Sequence, residues 1–265
     1  MLYLDKTQVQ FSFDSSIPPR IKVDSGETIC FQCRDCYNEQ ITFDNIPFSS
    51  LDMTRGNPVT GPLYINGAEP GDVVRVELLA IALEDHAVMC IRTGKGVYAV
   101  EGCHCRRFPI RENRLYFDQN IQLPLRPMVG VIGTCPKEPC STHSPGQHGG
   151  NLDIRELGTG SVIYLPVFVP GALLSMGDLH ALQGDGESAI CGAEASGEVT
   201  VKITLMKGLS NLPLPFLATK QHFYTTACSS SLDECSLQAA RKMHEFLQSY
   251  AKLTDAQAAM LLSLH

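Results

Sequence analysis

The alternation of apolar and polar positions divides the chain into two unequal parts. Residues 73–83, VVRVELLAIAL, open with a period of two, the spacing of a strand with one buried face. Residues 198–206, EVTVKITLM, keep that period and place Val199, Val201, Ile203 and Leu205 on a single face. A third apolar run, 161–169, is interrupted by Pro166; proline cannot donate to a strand ladder, so this run is expected at a sheet edge or a bulge. Turn sequences separate the runs: GAEPGD before 73, PGALLSMGD after 169 and ASGE leading into 198. After Ser231 the period lengthens. Leu232, Cys235, Ala239, Met243, Phe246, Leu247 and Tyr250 recur at helical spacing, and Ser231 with Glu234 has the spacing of a capping box. Thr254 and Gln257 repeat that device before a short final helix. The pattern predicts an α+β, mainly β protein, with antiparallel sheets packed as a sandwich or barrel over 1–210 and a helical segment over 231–265, all within one compact domain, 1–265. Segment 135–151, CPKEPCSTHSPGQHGGN, fits neither period and is expected as a loop. Loops of this length inside a compact domain usually carry function.

Composition narrows the field. With 265 residues, 44% hydrophobic and 18% charged, the chain has the makeup of a folded globular protein. A net charge of −7 opposes nucleic acid or an anionic membrane as partner and leaves a small neutral or cationic ligand. No basic stretch followed by an apolar run opens the sequence, and no apolar run approaches the ~18–20 residues of a membrane helix; a cytoplasmic protein is expected. The eleven cysteines then read as reduced thiols. Cys30, Cys33 and Cys36 lie three apart, so in a strand Cys33 would face away from the other two. CHC at 103–105 is equally short of a metal framework, and both groups are expected to be buried or incidental thiols. Neither a G-x-S-x-G elbow nor a G-x-x-x-x-G-K-[ST] phosphate loop is present.

Two polar stretches stand out. In GDLHALQGDGE, residues 177–187, a strand would point Asp178 and His180 to one side. The glycines that follow allow a sharp turn returning Asp185 and Glu187 to the same region. Carboxylates around an imidazole suit a divalent metal such as zinc, although the same residues could form a solvated acidic turn with a surface histidine. In HSPGQHGGNLD, residues 143–153, His148, Asn151 and Asp153 are framed by Gly146, Gly149 and Gly150, which let a backbone approach a ligand closely. A polar surface loop is the alternative there.

Several longer blocks occur together and in order: NPVTGPLYINGAEPGDVVRVEL (57–78), RPMVGVIG (126–133), PGQHGGNLDIREL (145–157), LPVFVPGALLSMGDLHALQGDGE (165–187) and DCYNEQ (35–40). In these the sequence resembles the acetamidase/formamidase family over about residues 18–210. The resemblance implies a mainly β fold and metal-assisted hydrolysis of a small amide, formamide or acetamide, to the carboxylate and ammonia. It implies a divalent metal, zinc in the first place with calcium as the alternative, held by residues from among Asp35, Asp153, Asp178, His180 and Asp185. Glu187 is then expected to move the proton, with Asn151 and His148 as further catalytic groups. A homodimer or higher homo-oligomer is expected. The block after Glu187, SAICGAEASGEV, matches more loosely, and the cysteine-rich stretch 101–107 looks peculiar to this chain. A hydrolase of another non-peptide C–N bond and a non-catalytic β module binding metal or ligand are the competing readings.

Overall fold

The computed structural model describes residues 2–209 and 211–265. Two large sheets carry the molecule. In the first, Gly197–Met206 lies between Thr28–Cys33 and Val73–Leu83, antiparallel to both, and Val162–Pro166 extends the sheet beyond Val73–Leu83. The alternation seen in the sequence is realised: Val199, Val201 and Ile203 are fully buried, and Leu205 packs half-buried against the same core. The second sheet runs through Cys103–Arg111, His86–Arg92, Ala193–Ala195, Leu174–Leu182, Met128–Gly133 and Gly149–Asn151, with Val59–Ile65 also pairing with Leu174–Leu182. The sheets pack face to face over one core that includes Phe31, Leu63, Val76, Ile132, Leu165, Leu179 and Val201. They do not close into a barrel, so the sandwich alternative holds.

Three local expectations change. The run containing Pro166 is neither an edge nor a bulge, because Val162–Pro166 is paired on both sides. Pro166 is its last residue, beyond the end of the pairing with Phe216–Ala218, where a missing N–H costs nothing on that side. Segment 135–151 is not a bare loop. Pro145–Gly146 and Gly149–Asn151 form a small hairpin attached to Met128–Gly133; Gln147 and His148 make its turn, and the strand that leaves it holds Gly149 at φ +99° and Gly150 at φ +83°, the left-handed region that favours glycine. Helices α1 (Leu232–Ala251) and α2 (Asp255–Leu264) close the chain. The Thr254–Gln257 capping box is complete, but at α1 only Ser231 caps, accepting from the Glu234 N–H, while the Glu234 carboxylate accepts from Gln238. Phe246 anchors α1 on Phe216 and Phe223, with ring centroids 4.7 and 5.4 Å away. Leu232 and Tyr250, on the predicted apolar stripe, remain exposed. Among the described residues no helix is long and apolar enough to cross a membrane.

Candidate functional site

Strand Leu174–Leu182 is almost wholly buried, yet it carries Asp178 at 3% exposure and His180 at 1%. Such burial is stable only if the groups find compensation. The D-x-H spacing does point both side chains one way: His180 Nε2 lies 3.4 Å from Asp178 Oδ1. On one side His180 pairs in register with Glu194 of strand Ala193–Ala195, and its Nε2 is 3.1 Å from Glu194 Oε2. On the other, Gly130 lies between the registered pairs Val129–Leu179 and Val131–Gly177, opposite Asp178. A Cβ on Gly130 would sit 2.6 Å from Asp178 Oδ2 and 2.7 Å from Asp153 Oδ1. The absent side chain is therefore what lets these two carboxylates meet. The chain turns at Gly184–Gly186 to bring Glu187 Oε1 to 3.9 Å from His180 Nδ1.

Four carboxylates, of Asp153, Asp178, Glu187 and Glu194, thus surround one imidazole. Burial pushes Asp153 up to about 8, helped by the charge of Asp178 and opposed by His180. Glu187 is raised by burial, and Glu194 is raised well above its ordinary value for the same reason. Burial disfavours the charged form of His180, but without a cation Glu194 and Asp178 outweigh that and raise its pKa well above the ordinary value; a bound cation would take the place of that proton. Burial opposes ionisation of Asp178, yet His180 draws its pKa below the usual range. One imidazolium cannot neutralise this many carboxylates, so the cluster calls for shared protons or a further cation. Orientation favours the cation: Asp153 Oδ1, Asp178 Oδ1, Glu194 Oε2 and His180 Nε2 are buried without a hydrogen-bond partner, despite their short separations. Oxygen and nitrogen donors aimed at shared space, instead of at one another, fit a divalent cation. Asp153, Asp178 and Glu187 also hold left-handed backbone at φ 46°, 56° and 43°, conformations that cost energy in non-glycine residues and gather at functional sites.

The cluster opens on a cleft of about 220 Å³, below the roughly 300–1,000 Å³ of common ligand pockets. Tyr37, Phe48, Met53 and Ile190 supply apolar wall, while Asn57, Arg92, His143 and Asn151 supply polar groups. Asn151 lines the cleft with its Oδ1 buried and unpaired.

Three expected site residues lie elsewhere. Asp185 is 82% exposed at its side chain and pairs with Arg155 at 2.6 Å, because the turn directs it outward while returning Glu187 inward. Asp35 is buried, but its Oδ1 accepts the N–H groups of Tyr37 and Glu39 and it is not on the cleft wall. It shapes a turn in which Asn38 and Glu39 take φ 57° and 61°, and that turn delivers Cys36 and Tyr37 to the cleft. His148 is buried edge-on against Phe13 at 4.9 Å, with Nε2 3.4 Å from Cys140 Sγ; burial pushes it down to about 4, and it braces the hairpin.

Two site residues escape the sequence reading. Glu194 lies in the loosely matching block, and only the strand register opposite His180 reveals it. Cys36 is set aside by strand geometry, yet it stands beyond the end of Thr28–Cys33, where that geometry does not apply. Its Sγ lies within 4.8 Å of oxygens of Asp178 and Glu194, which form one donor group beside a second made of Asp153, His180 and Glu187.

Fold and site together define a two-sheet β protein built around a buried carboxylate–imidazole centre suited to a divalent cation. Comparison gives this class a family: residues 4–102 and 106–227 match the acetamidase/formamidase family profile, and the chain belongs to that family. It is 52% identical over 261 residues to an acetamidase of Mycolicibacterium smegmatis, covering 72% of this chain, and 26% identical over 265 residues to a formamidase of Methylophilus methylotrophus, covering 76%. The chain spans 64% of the length of each of these curated relatives. The crystal structure of an acetamidase from Bacillus halodurans superposes with a TM-score of 0.96 at 41% identity, covering 99% of this chain and 90% of that one.

Proposed function

We propose that this protein hydrolyses a small aliphatic amide, formamide or acetamide, to the carboxylate and ammonia with the help of a divalent cation of the zinc or calcium class. The observation that carries the reading is the set of buried donor atoms of Asp153, Asp178, His180 and Glu194 left without partners beside a small cleft; family membership supports it. Those four residues would hold the cation. When bound, such a cation acidifies water and polarises a carbonyl oxygen. Glu187, half-buried with its carboxyl raised by burial, accepts the proton of the attacking water and returns it to the departing nitrogen. Asn151 donates to the carbonyl oxygen as charge develops on it. Phe48, Met53 and Ile190 keep bulk water out and take the acyl methyl, which distinguishes acetamide from formamide by about 1–3 kcal/mol.

The test is ammonia release from formamide, acetamide and propionamide before and after chelation, with metal restored. Activity lost to the chelator and recovered with zinc or calcium is expected. Glu187→Gln should keep its metal while turnover falls by about 10²–10⁴-fold. A fully metallated protein inert towards all three amides would overturn the reading and move weight to another C–N substrate or to a binding module.

A further inference from the structure

A second donor cluster lies one strand away from this site and contains only sulfur. Cys90 of strand His86–Arg92 and Cys105 of strand Cys103–Arg111 are directly opposed in the antiparallel ladder. Cys103, two residues before Cys105, projects from the same face. The three sulfurs lie 2.7 Å (Cys90–Cys105), 3.5 Å (Cys90–Cys103) and 3.9 Å (Cys103–Cys105) apart. Cys90 and Cys105 are buried in an apolar cluster with Ile41 and Leu51, and Cys103 packs half-buried at its margin. Thiols that merely filled core volume would not need to face one another. An ion at the usual zinc–sulfur distance spreads three sulfurs to roughly 4 Å, so two of the three separations already approach that value and Cys90–Cys105 opens by about 1 Å.

We propose that Cys90, Cys103 and Cys105 bind a soft cation of the zinc class as three thiolates, at a site separate from the carboxylate–imidazole centre. Oxygen-poor, sulfur-only donors select such ions over calcium or magnesium. Binding transfers the three thiol protons to solvent, so affinity rises with pH. The half-buried Cys103 gives the ion its entry, and a fourth position stays open to water or a small thiol. Cys103 and Cys105 fall between the two segments that match the family profile, so the site is not part of the shared pattern. Cys90 also lines the catalytic cleft, and an ion here stiffens the β-ribbon that forms part of that wall.

Cobalt(II) is the probe, added to the full chain kept reduced with a phosphine. Thiolate ligation gives intense sulfur-to-cobalt charge-transfer absorption in the near ultraviolet, which carboxylate and imidazole donors do not give. The band is expected in the unaltered protein and in Cys36→Ser, which removes the sulfur grouped with Asp178 and Glu194. In Cys103→Ser, whose half-buried position tolerates the change, cobalt affinity at the thiol site should fall more than about 100-fold, beyond what loss of an outer-shell partner costs. Absence of the band in reduced protein would overturn the proposal. So would its persistence in Cys103→Ser with loss in Cys36→Ser, placing the sulfur-bound ion on Cys36 beside Asp178 and Glu194. Intact mass showing Cys90 and Cys105 oxidised to each other, with no cobalt band after reduction, would make them a redox pair instead.

Discussion

Strands Gly197–Met206 and Leu174–Leu182 belong to the same molecule and obey opposite rules. The first alternates: its valines and isoleucine enter the core, Lys202 faces solvent, and its partners continue the pattern. The second is buried along nearly its whole length and places a carboxylate, an imidazole and Ser175 where hydrocarbon would be cheaper. One of its residues, Asp178, adopts a left-handed backbone within a strand. The contrast separates residues that hold the molecule together from residues that the molecule holds in place. Removing the first kind should cost stability, and removing the second should cost activity.

The comparison breaks most readily at Asp178. Asp178→Asn is expected to lower kcat/KM for the preferred amide by at least about 10³-fold, near 4 kcal/mol, while the unfolding free energy from urea titration changes by less than about 1 kcal/mol; a large loss of stability with activity retained would reverse the assignment. Ile203→Ala is the opposite case. Denaturant titration should show about 2–5 kcal/mol lost, with kcat/KM unchanged in the fraction that remains folded.

His148 sharpens the distinction, being polar and buried but outside the cleft. Its folded pKa, about 4, lies below the ordinary 6.5, so the unfolded chain binds the proton first. Its contribution is complete above pH 6.5 and disappears as pH falls towards 4. Between pH 7 and 5 the unaltered protein should lose about 2 kcal/mol more than His148→Gln. The last expected effect has the opposite sign to most. Asp153 is raised to about 8, so in metal-free protein its stabilising share is complete below the unfolded carboxylate range and declines as pH rises through 8. In chelator at pH 7.5, Asp153→Asn should unfold at a higher denaturant concentration than the unaltered chain, although its turnover is expected to be lost. An unchanged or lower midpoint would show that Asp153 is compensated by groups other than a cation.

Much of this was legible in one dimension. Period-two runs located the core strands, helical spacing located α1 and α2, and D-x-H identified two donors on one face. What escaped depends on register and on turn direction. Glu194 became a site residue by lying across from His180, a relation that no local spacing encodes. Asp185 and Glu187 are two apart in sequence, yet one turn sends them to solvent and cleft respectively. Asp35 and Cys36 exchanged roles for a similar reason: the carboxylate closes the turn, and its neighbour reaches the cleft.

Gly130 carries a lesson for anyone wishing to transplant this centre. The two carboxylates above it occupy the volume of a missing methyl group, so copying only the donor residues onto another pair of β-strands would leave them propped apart. A recipient scaffold must supply a gap in the neighbouring strand as well as the ligands, and searches for suitable hosts should screen for that void before they screen for charge.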